Sequence, residues 1–243
     1  MLSCVPDPWL SETTGVACYK VAGAGDAPAI SATLEGRGDG FFFTRIPVTA
    51  IALVKEYTDG GFSLVDTNVT LEATGAQLVQ CGGLDVEVRR AIPADYATLQ
   101  AIAASAFAYS RFHLDPLFPD GLANRIKREW IRSYCQATRG DALLAALVEG
   151  RVCGFLAALK TEVGGKSAAV IDLVAVDETV RGRGLARALV GQFQEQYRSQ
   201  VEVLRVGTQM ANTVSLGLYQ ACGFTIVEAA YVLHAHRRDG VFL

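Results

Sequence analysis

The chain predicts an α/β protein in which a central mixed, mostly antiparallel sheet is flanked by helices and preceded by a smaller α/β domain. Three observations carry this. Past residue 84, short apolar runs alternate with stretches whose apolar residues recur every four positions, in the order β-α-α-β-β-β-α-β-α-β. Glycine pairs at 82–83 and 164–165 and a glycine at 223 fall between those stretches, where turns and helix ends need them. Apolar residues make up 51% of the 243, which is enough for a real core at this length.

Residues 1–83 predict an N-terminal α/β domain. Strands are expected around 15–21, 29–34 and 41–45, and an apolar helix around 48–57. The Gly82-Gly83 pair, then alternation at Leu84, Val86 and Val88, then Pro93 placed to open a helix, mark the start of a second domain, 84–243. Its first strand is expected at 86–91. A helix over 92–107 follows, with Leu99, Ile102, Ala103 and Phe107 near helical spacing. Leu122, Ile126, Trp130 and Tyr134 make one stripe of a helix over 120–138, with Arg125, Lys127, Arg128 and Glu129 on the other side.

Strands are then expected at 142–149 and 152–162, joined by a turn at Gly150-Arg151, and at 168–176 after Gly164-Gly165. A helix over 184–199 carries Leu185, Leu189, Phe193 and Tyr197 four apart. A strand (201–206), a helix (212–222) closed by Gly223 and a long strand (224–235) complete the order. One echo crosses the boundary: Tyr57, Gly61 and Phe62 repeat the spacing of Tyr219, Gly223 and Phe224. Either the two share only helix-end chemistry, or the N-terminal domain is a degenerate half-unit of the second.

Charge and cysteine usage narrow the function classes. Lys+Arg 22 against Asp+Glu 25 gives a net charge of −3, with no long basic run, which argues against nucleic acid. No apolar stretch is long enough to span a bilayer, and the N-terminus lacks a basic leader. Six scattered cysteines without a C-x-x-C pair read as reduced thiols, so the expected location is cytoplasmic. Three histidines leave little for a metal site, and none is expected.

The chemistry concentrates after the 168–176 strand. Arg181, Gly182, Arg183, Gly184, Leu185 and Ala186 form a turn that enters a helix. Its small residues let backbone N–H groups point outward, where the helix dipole adds positive charge. Such a turn suits a phosphate or pyrophosphate. A P-loop would need Lys-Ser/Thr where Leu185-Ala186 stand, and a dinucleotide fingerprint would need glycine where Arg187 stands. Downstream, Asn212, Ser215 and Tyr219 share one helix face through separations of three and four.

The Arg181-x-x-Gly184-x-Ala186 turn and the Asn212…Tyr219 helix, in this order, resemble the acyl-CoA motifs of the GNAT N-acetyltransferases, and the likeness covers residues 84–238. It implies acetyl-CoA as the acyl donor, with its pyrophosphate on the turn 181–186. It further implies that Asn212 bonds the pantetheine arm, that an amide N–H among Val174, Ala175 and Val176 polarises the thioester, and that Tyr219 protonates the departing thiolate. Asp172, in the preceding apolar strand, is the candidate base for the amine, with Glu162 behind it. The plainer roles remain open: an N-cap for Asn212, a core aromatic for Tyr219, a paired carboxylate for Asp172.

The stretches 103–112, Trp130-Ile131 and 204–213, together with looser likeness before residue 85, are similar to the TDP-fucosamine acetyltransferase family. That implies acetylation of the amino group of a nucleotide-linked amino sugar, a small-molecule acceptor. Arg111 and His113, near Asp115, lie where GNAT proteins receive the acceptor, and either bind it or anchor their loop. A protein or peptide N-acetyltransferase and a non-catalytic acyl-CoA-binding module are the competing readings, and a homodimer is left open.

Overall fold

Asp7 and Asp26 each present a carboxylate to the N–H three residues on, with a proline in the following turn, and a helix starts after each. The computed structural model describes residues 1–74 and 86–243. The first half runs β1 (Ser3–Pro6), α1 (Pro8–Thr14), β2 (Cys18–Ala22), α2 (Ala27–Glu35), β3 (Gly40–Pro47), α3 (Ile51–Asp59) and β4 (Ser63–Ala73). The segment 29–34, expected as a strand, is therefore the body of α2. Ile30 and Leu34 lie on one face under either period, and the Asp26 cap decides for the helix. α1 and β1 are additions to the expected order.

The second half runs β5 (Glu87–Arg90), α4 (Tyr96–Ser105), α5 (Leu122–Cys135), β6 (Ala142–Val148), β7 (Arg151–Val163) and β8 (Lys166–Val176). It continues through α6 (Leu185–Tyr197), β9 (Val203–Gln209), α7 (Thr213–Ala221), β10 (Thr225–Arg238) and β11 (Val241–Phe242). The hairpin turns have positive φ at both central residues, Glu149 and Gly150 in one and Gly164 and Gly165 in the other. The first sits one residue ahead of its expected place. The expected division at 83/84, Leu84 and Cys81 lie outside the described residues.

All strands of the described residues join one sheet, in the order β1-β2-β3-β10-β4-β9-β8-β7-β6-β5, with β11 on β10. Exchanging β1 with β7, β2 with β8, β3 with β9 and β4 with β10 reverses the first eight strands of that order without changing any pairing sense. The chain halves interlock through this repeat. β4 crosses to pair with β9, and β10 crosses back to pair with β3. The echoed segments match as geometry: Phe62 N–H donates to Tyr57 O and Phe224 N–H to Tyr219 O, each at 3.0 Å, and each aromatic pair meets edge to face.

Helices cover both faces. α6 lies over a core of Leu189, Phe193, Leu144, Leu156 and Val206, while α4 and α5 cover Leu143, Phe155 and Leu173 on the opposite face. α5 also reaches the other half, where Leu122 and Ile126 pack with Leu10, Cys18 and Phe41. It roofs the place where the two halves meet. No helix among the described residues is long and apolar enough to cross a membrane.

Candidate active site

Two strands part in the middle of the sheet. β8 and β9 pair in parallel from Ala168↔Val203 to Ile171↔Val206 and no further; β9 continues along β4 while β8 continues along β7. A bulge lies at the fork. Ala157 faces Leu173 and Ala158 faces Ile171, so Asp172 has no partner on β7. The extra residue reverses the alternation: Ala169 and Ile171 pack on the α6 face, whereas Leu173 and Ala175 pack on the α5 face. Asp172 is thereby aimed at α5.

A cavity of about 550 Å³ occupies the fork. It gathers Arg111, Asp172, Val174, Asn212 and Tyr219 of the expected site, together with Arg45, Lys127, Trp130, Arg205 and Glu228. A larger cavity, about 650 Å³ and beyond His236, holds none of the expected residues.

Tyr219, on α7, is 3% exposed, and burial pushes its phenol well above the ordinary value. Tyr219 lines the cavity wall, where its hydroxyl faces the space a ligand would fill. Asn212 serves a structural role and keeps a free group. Its Oδ1 caps α7 by accepting from Ser215 N at 3.2 Å, which leaves the amide NH₂ for a ligand.

The turn 181–186, with Ala175 and Val176, lies past the cavity at the outer end of β8. Gly182 and Gly184 hold φ of 79° and 80°, the left-handed region glycine tolerates. α6 begins behind Gly184 with no side-chain cap and no acidic residue in its first turn. Its first N–H groups therefore stay open to an anion. The matching helix of the other half is closed: at the start of α2, Asp26 accepts from Ala29 N at 3.0 Å and Glu56 from Ala27 N at 2.8 Å. Arg183 is exposed beside the turn, while Arg181 is tied back to Val176 O and Ala106 O.

The opposite wall is α5 and the segment before it. Asp172 Oδ2 accepts from Trp130 Nε1 (2.8 Å), Tyr134 OH (2.7 Å) and Arg139 Nε (2.8 Å). That oxygen is fully engaged in holding the wall. Glu162 is absent from the cavity lining. Arg111 stacks between Phe43 and Phe112, 4.1 and 4.3 Å from their centroids. His113 lies outside the cavity lining, bound to Ser110 Oγ at 2.6 Å and Asn124 Oδ1 at 2.9 Å, where it ties the loop to α5.

Sequence reasoning missed the group behind Arg111. Asp115 Oδ2 binds His234 Nδ1 at 2.6 Å and His236 Nε2 at 2.8 Å, and Arg111 Nη1 lies 3.2 Å from His234 Nε2. The available signal was His-x-His in a strand, since alternate residues share a face. The three ligand atoms are close enough for a metal ion. The guanidinium argues otherwise: it only donates, so His234 Nε2 must accept and Nδ1 carries the proton toward Asp115. A metal on Nδ1 would put a hydrogen on Nε2, facing another donor.

Burial pulls His234 down to about 4, and hydrogen bonds from both histidines hold Asp115 below the usual carboxylate range against the opposing effect of burial. Between pH 6.5 and 4 the unfolded chain thus takes up a proton at His234 that the native state refuses, so stability falls as pH falls through that window. The expected loss is a few kcal/mol. Melting temperatures should already drop between pH 6.5 and 5, above the range of ordinary carboxylates. A flat profile there would show that His234 is not held neutral.

Comparison with known proteins adds independent findings. Residues 107–224 match the family model "Acetyltransferase (GNAT) family". The chain is 31% identical over 176 residues to the dTDP-fucosamine acetyltransferase of Escherichia coli O6:H1, covering 72% of each protein. It is 29% identical over 143 residues to the spore coat polysaccharide biosynthesis protein SpsD of Bacillus subtilis, covering 58% of this chain and 48%, about half, of that relative. A GCN5-related N-acetyltransferase structure from Sphaerobacter thermophilus shares the fold over 100% of this chain and 78% of its own, with TM-score 0.66 and 16% identity.

Proposed function

Because the chain belongs to the GNAT family of acetyltransferases, we propose that it transfers the acetyl group of acetyl-CoA to the amino group of a nucleotide-linked amino sugar. The donor lies across the fork, with its pyrophosphate on the open N–H groups of turn 181–186 and its pantetheine arm along Asn212. An amide N–H among Val174–Val176, past the last β8–β9 pair, stabilises the carbonyl oxygen as charge develops. The amine attacks directly and Tyr219 protonates the thiolate. Asp172 holds the acceptor wall together through Trp130, Tyr134 and Arg139. The acceptor is a small molecule that reaches the cavity beside Arg111, while His113 holds the loop that carries Arg111.

The observation that carries the acceptor class is the charge of the cavity wall. Glu228 is paired with Arg205 at 2.7 Å and Asp172 with Arg139 at 2.8 Å. Among the described residues, Arg45 and Arg111 line the cavity with no carboxylate within ion-pair distance. Cations facing a cavity favour an acceptor that brings its own negative charge, such as a sugar phosphate ester, and repel a basic peptide. The name of the Escherichia coli relative, dTDP-fucosamine acetyltransferase, agrees with that chemistry.

The N-terminal half is, on this reading, a half-unit that has lost its donor site. Tyr57 OH donates to Gly23 O at 3.0 Å, and Asp26 and Glu56 cover the start of α2. Calorimetry should therefore give one acetyl-CoA per chain. Thiol release should require acetyl-CoA plus dTDP-4-amino-4,6-dideoxygalactose and stay at background with a peptide panel. Turnover of peptides alone would overturn the sugar assignment, and a second CoA site would overturn the half-unit reading.

A further inference from the structure

Lys127 is the cavity cation whose setting is hardest to explain as a simple charge. It is 7% exposed, its ammonium lies 4.8 Å from the centroid of Phe107 and 5.0 Å from that of Trp130, and it opens onto the fork cavity that holds Tyr219. Among the described residues it has no carboxylate within 4 Å and no hydrogen-bond partner. Asp172, on β8, spends its Oδ2 on Trp130, Tyr134 and Arg139. Burial without a counter-ion disfavours the lysine's charged form, which the cation–π contacts with the two rings offset in part.

We propose that Lys127 accepts the proton of the acceptor's ammonium group, so that the amine attacks acetyl-CoA as a free base. This rests on the acetyl-transfer reading above. The substrate N–H⁺ bond breaks and an Nζ–H bond forms; the neutral amine then bonds to the acetyl carbon, the C–S bond breaks and the thiolate takes the Tyr219 proton. The attacking nitrogen's second proton returns to Tyr219, and Lys127 releases its proton to solvent. The net products are the amide, free CoA thiol and one proton.

Burial pulls Lys127 down to about 8; Asp172 opposes that shift and Arg111 reinforces it. The other charged or titratable groups around it are His113, pulled down by burial, in the loop before α5, Arg139, stacked across Trp130 on the same wall, and Arg45 on β3 with the Arg205–Glu228 pair across the cavity. A group titrating near working pH suits general-base catalysis.

Two measurements on the full chain test this. Lysine ¹³Cε resonances, with Lys127→Arg to assign the signal, should show a midpoint near 8; a midpoint above about 10 overturns the proposal whatever the acceptor. With acetyl-CoA and dTDP-4-amino-4,6-dideoxygalactose, Lys127→Arg should lower kcat by about 100-fold at pH 7. The defect should shrink toward nothing above the acceptor amine's own pKa, where no base is needed. A defect that stays constant with pH, or a wild-type rate at pH 7, sinks the proposal. If the wild-type protein does not turn over that sugar, the acceptor reading fails and the resonance midpoint alone decides the lysine.

Discussion

Tyr219→Phe is expected to lower turnover by roughly 10²–10⁴-fold while leaving acetyl-CoA affinity within about twofold. The two readouts separate because the hydroxyl matters only as negative charge builds on sulfur. The ring stays: it packs edge to face on Phe224, with centroids 6.1 Å apart, and phenylalanine keeps that contact. The hydroxyl lies at the cavity wall, so its loss opens no void in the core. Stability should change by less than about 1 kcal/mol. Burial also keeps the phenol protonated across the workable pH range, so Tyr219 adds no alkaline limb to the rate profile. A folded variant with most of its turnover would remove the tyrosine from the mechanism.

Gly184→Asp should weaken acetyl-CoA binding well beyond tenfold, more than about 1.4 kcal/mol. The substitution adds a carboxylate where α6 leaves its N–H groups free, the same closure that Asp26 and Glu56 make on α2. It also places a side chain at φ 80°, a strain of about 1–2 kcal/mol. Gly184→Ala carries the strain without the charge, and its smaller loss of affinity isolates the electrostatic part. Calorimetry on both variants, after a melting curve to show that they fold, makes the measurement. Unchanged affinity in folded Gly184→Asp would exclude the turn as the phosphate site.

The elements of the second half were legible because their signals are local. Four-residue spacing at Leu185, Leu189, Phe193 and Tyr197, the Gly164-Gly165 turn and the Gly223 helix end each act over one element. So did the turn 181–186 and the Asn212–Tyr219 face, whose spacing alone places them at a helix start and along one helix. The segment 29–34 shows the limit of the same logic. A period of two and a period of four both put Ile30 and Leu34 together, and only the cap at Asp26 separates the cases.

Tertiary structure decided the rest, because it depends on strands far apart in the chain. Nothing in the spacing of β8 announces that it parts from β9 beyond Ile171, or that a bulge at Asp172 turns that carboxylate toward α5. Its neighbours there, Trp130, Tyr134 and Arg139, come from 33 to 42 residues away. The Arg111–His234–Asp115–His236 group joins residues more than a hundred positions apart, and the placement of Lys127 among aromatic rings follows from the same packing. Local spacing determines which element forms and which face it buries. The register and order of the sheet, set by the pairing of β4 with β9 and β10, determine which faces meet, and the cavity exists only there.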